Sequence, residues 1–368
     1  MLSIRSRWVK IAQKKFLRLF FILILSCFIA YGITACTSSQ FPWSTSGNGT
    51  PIAVTGTLAT VLNRGKVICG VNGQLPGFSF QSPDGTYSGL DADYCRAIAS
   101  ALFNDPSRAE FRRVSSDEQF QTLTQSQEID ILLRDVAWTI QRDSQLAIDF
   151  APPIFYDGQS LLTKADPTLN SPENLRDQTF CVQDGAAANS LQVFFRKVKI
   201  PIQPILLEDD RQVFINFANG NCQVAVAHRS TLAIQRQTLT NPEQYQISTL
   251  TLTQEPLSPV IREQDPRWAD AVRWIIYGTF RAEELGISQN NVMALSPSSD
   301  LEIRRFLGEE GRVGADLGIP NDFMKRVIRW VGNYGEIYQR NIGDPFQLPR
   351  GVNQLWLKGG LIYPMPFW

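Results

Sequence analysis

A chain of 368 residues with 43% hydrophobic content is long enough for two packed lobes. Its 35 Lys and Arg are matched by 35 Asp and Glu, which excludes the strongly basic balance of a nucleic-acid-binding protein. The charge is unevenly placed: Arg5, Arg7, Lys10, Lys14, Lys15 and Arg18 precede every acid, so the remainder is mildly acidic.

Those six basic residues lead into an apolar run over 19–30, the n-region and h-region of a secretory signal. The run falls short of the roughly 20 apolar residues that a membrane span needs. Ile33-Thr34-Ala35-Cys36 resembles a bacterial lipobox, which implies that residues 1–35 are removed and Cys36 is lipidated. An ordinary signal, or an uncleaved anchor with a chance cysteine, is the alternative. The polar Ser/Gly/Pro stretch over 37–50 has nothing to pack and suits a tether, so residues 36–56 are assigned as lipidated N-terminus and linker.

The body of the chain alternates strands and helices. Residues 57–64 read as a helix and 66–71 as a short strand, followed by a loop from Asn72 to Phe78. Gly89-Leu90-Asp91-Ala92-Asp93 opens a helix whose Cys95, Ile98 and Leu102 share one face. Residues 111–114 form a strand, and Ser116 to Gln119 has the form of a capping box. Ile129, Ile131, Leu132 and Leu133 predict a buried strand ending in Arg134-Asp135, at the sheet edge where open α/β folds bind ligands. Thr139 then N-caps a helix that carries Arg142. The order β-α-β-α-β predicts a parallel, doubly wound lobe.

A crossover strand over 156–163 leads into a second lobe, with strands over 179–183, 204–207 and 223–227 and helices starting near Gly185 and Arg211. Residues 245–252 run back through Glu255-Pro256-Leu257, and the rest is largely helical. With Cys27 in the leader and Cys36 at the lipid site, the other four cysteines, Cys69, Cys95, Cys181 and Cys222, are an even number and argue for disulfides. Their spacing matches no metal motif.

The stretch 130–159 carries an aspartate, an apolar strand, Thr139-x-x-Arg142, Asp149-Phe150, a proline and Tyr156. It resembles the first-lobe ligand site of polar-amino-acid-binding proteins of ABC importers, solute-binding family 3. Gly89 to Asp93 resembles a second motif of that family, and residues 331–361 match its general L-amino-acid-binding branch. The resemblance spans 57–368. It implies an α/β, type II periplasmic binding protein fold with two lobes, each a doubly wound sheet, joined by a two-strand hinge. Residues 57–157 and 255–368 are then the first lobe with a helical extension, and 158–254 the second. It further implies a periplasmic monomer that passes amino acids, or a related small carboxylate, to the permease subunits of an ABC importer. No cofactor, metal or nucleic acid is implied. The family's cysteines imply the pairs Cys69–Cys95 and Cys181–Cys222.

An amino-acid site needs a forked arginine and helix N-termini for the carboxylate, and an acid for the ammonium. Arg142 stands where the family's arginine clamps the ligand carboxylate; a solvated arginine in a first helical turn is the plainer reading. Asn72, Phe78, Asp135, Trp138, Thr139 and Tyr156 are further candidates, although each aromatic alone also suits a core. The second lobe departs from the family. Gly185-Ala186-Ala187-Ala188 replaces a threonine-rich helix start, and Val136 and Ala137 replace two threonines. The aspartate that receives the ligand ammonium aligns with His228, the only histidine in the chain. A neutral imidazole cannot neutralise an ammonium, so weak binding of zwitterions and preference for a carboxylate lacking an ammonium are expected, with Asp135 as a rescue. An enzyme on this fold, of dehydratase or lyase type, or a sensor with an altered ligand is the alternative function.

Overall fold

The computed structural model describes residues 54–367; the expected signal peptide, Cys36 and most of the tether lie outside the described residues. The first lobe opens with helix α1 (Gly56–Arg64) and strand β1 (Val67–Val71). A small ribbon follows, β2 (Gln74–Leu75), β3 (Ser79–Gln81) and β4 (Tyr87–Ser88), then α2 (Leu90–Phe103), β5 (Ala109–Arg113), α3 (Gln119–Thr124), β6 (Ile131–Leu132), α4 (Ile140–Gln145) and β7 (Ile148–Phe150). Strand β1 is apolar and largely buried along its length, as a central strand covered on both faces requires.

Strand β8 (Phe155–Asp157) leaves this lobe, and β9 (Gln159–Lys164) enters the second. There follow β10 (Phe180–Gln183), α5 (Ala186–Lys197), β11 (Ile205–Leu207), α6 (Asp210–Ala218), β12 (Val224–His228), α7 (Arg229–Arg236) and β13 (Tyr245–Ile247). The chain returns along β14 (Glu255–Leu257) to β15 (Val260–Arg262) and the long helix α8 (Pro266–Glu284).

Two five-stranded sheets result, ordered β5-β1-β6-β15-β7 and β11-β10-β12-β9-β13. Both are mixed, where a parallel sheet is expected of the first lobe. In the first, β15 runs antiparallel to β6 and β7; in the second, β9 runs antiparallel to β12 and β13. The strands that cross between lobes enter each sheet against the direction of its βα units. A second expectation also changes. No capping box forms at Ser116, because the Gln119 side chain donates to the Ser116 carbonyl (2.9 Å) and the helix starts only at Gln119.

Each sheet is stapled within its own lobe. Cys69 of β1 bonds Cys95 of α2, and Cys181 of β10 bonds Cys222, closing separations of 26 and 41 residues. By loop entropy each bridge contributes about 3–4 kcal/mol through the unfolded state. Helix α8 locks onto the first lobe where Trp268, fully buried, donates to the Asp130 carbonyl at 3.0 Å.

Between the sheets, β8 and β14 pair antiparallel, with Asp157 opposite Glu255 and Tyr156 opposite Pro256. Just past this ribbon, Gly158 sits at φ +155°, and a Cβ there would lie 2.0 Å from the Thr253 carbonyl oxygen. The Gln159 amide donates to Thr253 Oγ1 (2.8 Å) and the Leu252 amide to the Gln159 carbonyl (2.8 Å), so the crossing segments are bonded to each other there. The C-terminal extension braces the same region. The Asn353 side chain accepts from the Tyr156 amide (2.6 Å) and donates to its carbonyl (2.9 Å), pairing with the edge of the ribbon as a third strand would. Arg236 of α7 donates to the carbonyls of Phe346 (3.0 Å) and Gln347 (3.2 Å), tying the second lobe to the tail.

Candidate functional site

A cavity of about 350 Å³ lies between the lobes against the hinge ribbon. Hollows of about 520 and 490 Å³ elsewhere are larger, but each is walled by a single lobe. The walls of the inter-lobe cavity come from strand ends. Asn72 follows β1, Asp135 follows β6, Asp210 follows β11, and His228 ends β12. Asp157 and Glu255 come from the hinge strands themselves. This is the carboxyl edge of both sheets, where open α/β folds bind ligands.

Arg142 is placed by local structure. Thr139 caps α4 by accepting the Arg142 amide (3.3 Å), and the preceding segment is pinned to the hinge where the Trp138 amide donates to the Pro256 carbonyl (2.8 Å). The Arg142 guanidinium lies 5.9 Å from the centre of the Phe120 ring and donates to the Ala137 carbonyl (2.7 Å). Among the described residues that carbonyl is its only hydrogen-bond acceptor, so most of its N–H groups remain for a ligand carboxylate.

Asp135 holds a left-handed backbone (φ 49°), a conformation that costs energy in a residue other than glycine and clusters at functional sites. The Asn72 side chain donates to its carboxylate, while Oδ1 is buried without a partner. Burial pushes this carboxyl up to about 6, against the lowering pull of Arg134 and His228. Beside it Asp91, fully enclosed, is held well above the usual carboxylate range by burial and by the charge of Asp135.

His228 faces three carboxylates. Its Nε2 donates to Glu255 Oε2 at 2.8 Å, and Glu255 also accepts from Thr253 Oγ1 (2.8 Å). The hydrogen bond to Glu255 raises the imidazole to about 9; Asp157, Glu255 and Asp210 add to the rise, and burial opposes it. His228 is therefore an imidazolium at neutral pH, which corrects the expectation of a neutral ring. Asp157 and Glu255 are like charges on opposed residues of an antiparallel pair, an unfavourable arrangement on its own. The imidazolium offsets it, and Ser230 holds Asp157 through its hydroxyl (2.5 Å) and its amide (3.3 Å). The expected shortage of acids for an ammonium is not what the cavity shows: Asp135, Asp157, Asp210 and Glu255 all line it.

Of the residues singled out in sequence, Asn72, Phe78, Asp135, Arg142 and His228 meet around this cavity. Trp138 stacks on Phe150 (centroids 5.3 Å apart) and is 39% exposed, Thr139 serves as the cap, and Gly185 and Ala186 start α5; none of the four lines it. Sequence reasoning missed Asp157, Asp210 and Glu255. Applying the strand-end rule after 204–207, as it was applied at Asp135, finds Asp210. Among the described residues no group of His, Cys, Asp and Glu is arranged to hold a metal, and no helix is long and apolar enough to cross a membrane.

Two α/β lobes that enclose a charged cleft at their strand ends, with two crossing strands as hinge, define a periplasmic binding protein of type II. The family model for bacterial extracellular solute-binding proteins, family 3, matches residues 67–287, and the chain belongs to that family. It is 39% identical to the general L-amino acid-binding periplasmic protein AapJ of Rhizobium johnstonii, over 86% of this chain and 94% of the relative. It is 38% identical to the glutamate/glutamine/aspartate/asparagine-binding protein BztA of Rhodobacter capsulatus, over 84% and 93%. A Brucella ovis ABC-transporter periplasmic binding protein, solved with glutathione bound, superposes with a TM-score of 0.75 at 38% identity, covering 86% of this chain and 100% of that one.

Proposed function

We propose that this protein captures free α-amino acids between its two lobes in the periplasm and delivers them, as a monomer, to the permease of an ABC importer. One observation carries the reading. The free guanidinium N–H groups of Arg142 and the carboxyl side chain of Asp135 line the same cavity, so opposite charges await the two ends of a zwitterion. On closure about the hinge, the first amides of α5 at Gly185 and Ala186, together with Thr139 and Trp138, would add hydrogen bonds and aromatic surface to the ligand. The names of the relatives, an amino-acid-binding protein in each case, support the same substrate class. Binding without catalysis is the reading that the relatives, each named as a binding protein, support.

Calorimetry against the common L-amino acids, with glutathione as a further ligand, tests this. Micromolar binding is expected, lost at least 100-fold in Arg142→Ala and weakening below about pH 6 as Asp135 takes up a proton. Binding indifferent to Arg142→Ala would discard the site. The lipobox further supports anchoring through lipid on Cys36, where one acyl chain holds weakly and two or more hold stably. Cell fractionation of Cys36→Ser is expected to release the protein or leave its precursor unprocessed; membrane attachment identical to wild type removes the anchor from the reading.

A further inference from the structure

The cavity holds more acids than a neutral zwitterion can use. Arg142 and His228 are its cations; Asp135, Asp157, Asp210 and Glu255 are its anions. The hydrogen-bonded His228–Glu255 pair cancels internally. Asp157 is satisfied by the hydroxyl and amide of Ser230. Arg142 and Asp135 are left for the α-carboxylate and α-ammonium, with Asp135 Oδ1 buried and unpartnered. Asp210 then remains. It is the first residue of α6, on the second lobe, half-buried, and no hydrogen bond to its carboxylate forms among the described residues. Burial raises its carboxyl above the usual range, against the pull of His228 and of the helix N-terminus behind it, so a ligand cation beside it would favour its ionised form.

Resting on the amino-acid reading above, we propose that the cavity selects α-amino acids whose side chain bears a second positive charge, and that Asp210 reads that charge from the second lobe. Arg142 and Asp135 hold the backbone end from the first lobe. The side-chain cation spans the cleft to Asp210, so the ligand is bonded to both lobes only when they close. An acidic side chain meets the opposite sign at the same place and is rejected, because an unpaired like charge in a closed site is costly.

Titration calorimetry of the purified mature protein at pH 7.5 with arginine, lysine, glutamine and glutamate decides the matter. Arginine or lysine is expected to bind at least tenfold tighter than glutamine, and glutamate weakest of the four. In Asp210→Asn the arginine-to-glutamine affinity ratio is expected to collapse at least tenfold, whereas Asp210→Glu, which keeps the charge, preserves the ranking. Thermal unfolding of both variants confirms that they fold, and the wild-type ranking stands as a test without either. Glutamine or glutamate binding as tightly as arginine, or an unchanged ratio in Asp210→Asn, overturns the selectivity and leaves the amino-acid reading intact. No binding of any of the four overturns both.

Discussion

The single histidine shows how far a residue's role depends on neighbours distant in sequence. His228 is raised to about 9 from an ordinary 6.5, so protonation favours the fold. Its contribution is complete below about pH 6.5 and is lost as the pH climbs toward 9. Asp135 runs in the same direction at lower pH, for the opposite electrostatic reason: its raised carboxyl makes ionisation costly in the fold, so stability falls as pH rises from about 4 to about 6. The melting temperature of the ligand-free protein is therefore expected to decline between pH 6.5 and 9, and His228→Gln to flatten that decline. Scanning calorimetry across the window checks it; an equal slope in both proteins would place the titrating group elsewhere. Arg142 and its cap Thr139 were legible in the sequence because a helix start is decided within four residues. The charge on His228 was not, because Glu255 and Asp157 reach it only through the pairing of two hinge strands.

At the scale of elements, the C-terminal extension brings helices onto the first lobe and then bonds to the hinge. Arg350 makes a forked pair with Glu283 of α8 (2.6 and 3.1 Å), lies over the rings of Tyr334 and Tyr338, and donates to the carbonyl of Asn353. That arginine thus fixes the backbone from which Asn353 grips Tyr156 in the hinge. Arg350→Ala leaves Glu283 enclosed without its partner and is expected to cost about 3 kcal/mol. Chemical denaturation measures this, and Arg350→Met paired with Glu283→Gln is expected to restore most of the loss by removing the stranded charge. A deficit in the double variant as large as in the single would show that packing, not charge, sets the cost. Strands and helices of this kind were readable from periodicity. The capping box at Ser116 misled because Gln119 can satisfy the Ser116 carbonyl as readily as its amide.

For the molecule as a whole, the two α/β bodies were legible because each strand is a short apolar run between helices. The direction of β9 and β15 was not, since antiparallel entry is decided by where the chain crosses, not by any local pattern. That crossing has a mechanical consequence. At Gly158 and Thr253 the outgoing and returning backbones touch so closely that a single methyl group does not fit, and two hydrogen bonds clasp them. Two threads clasped at a waist behave as one torsion fibre. Its compliance is set by these few peptide groups together with the tail's bonds to Tyr156 and Arg236, so the far ends of the lobes can grow or exchange loops while the stiffness against which a ligand must work is kept at the waist.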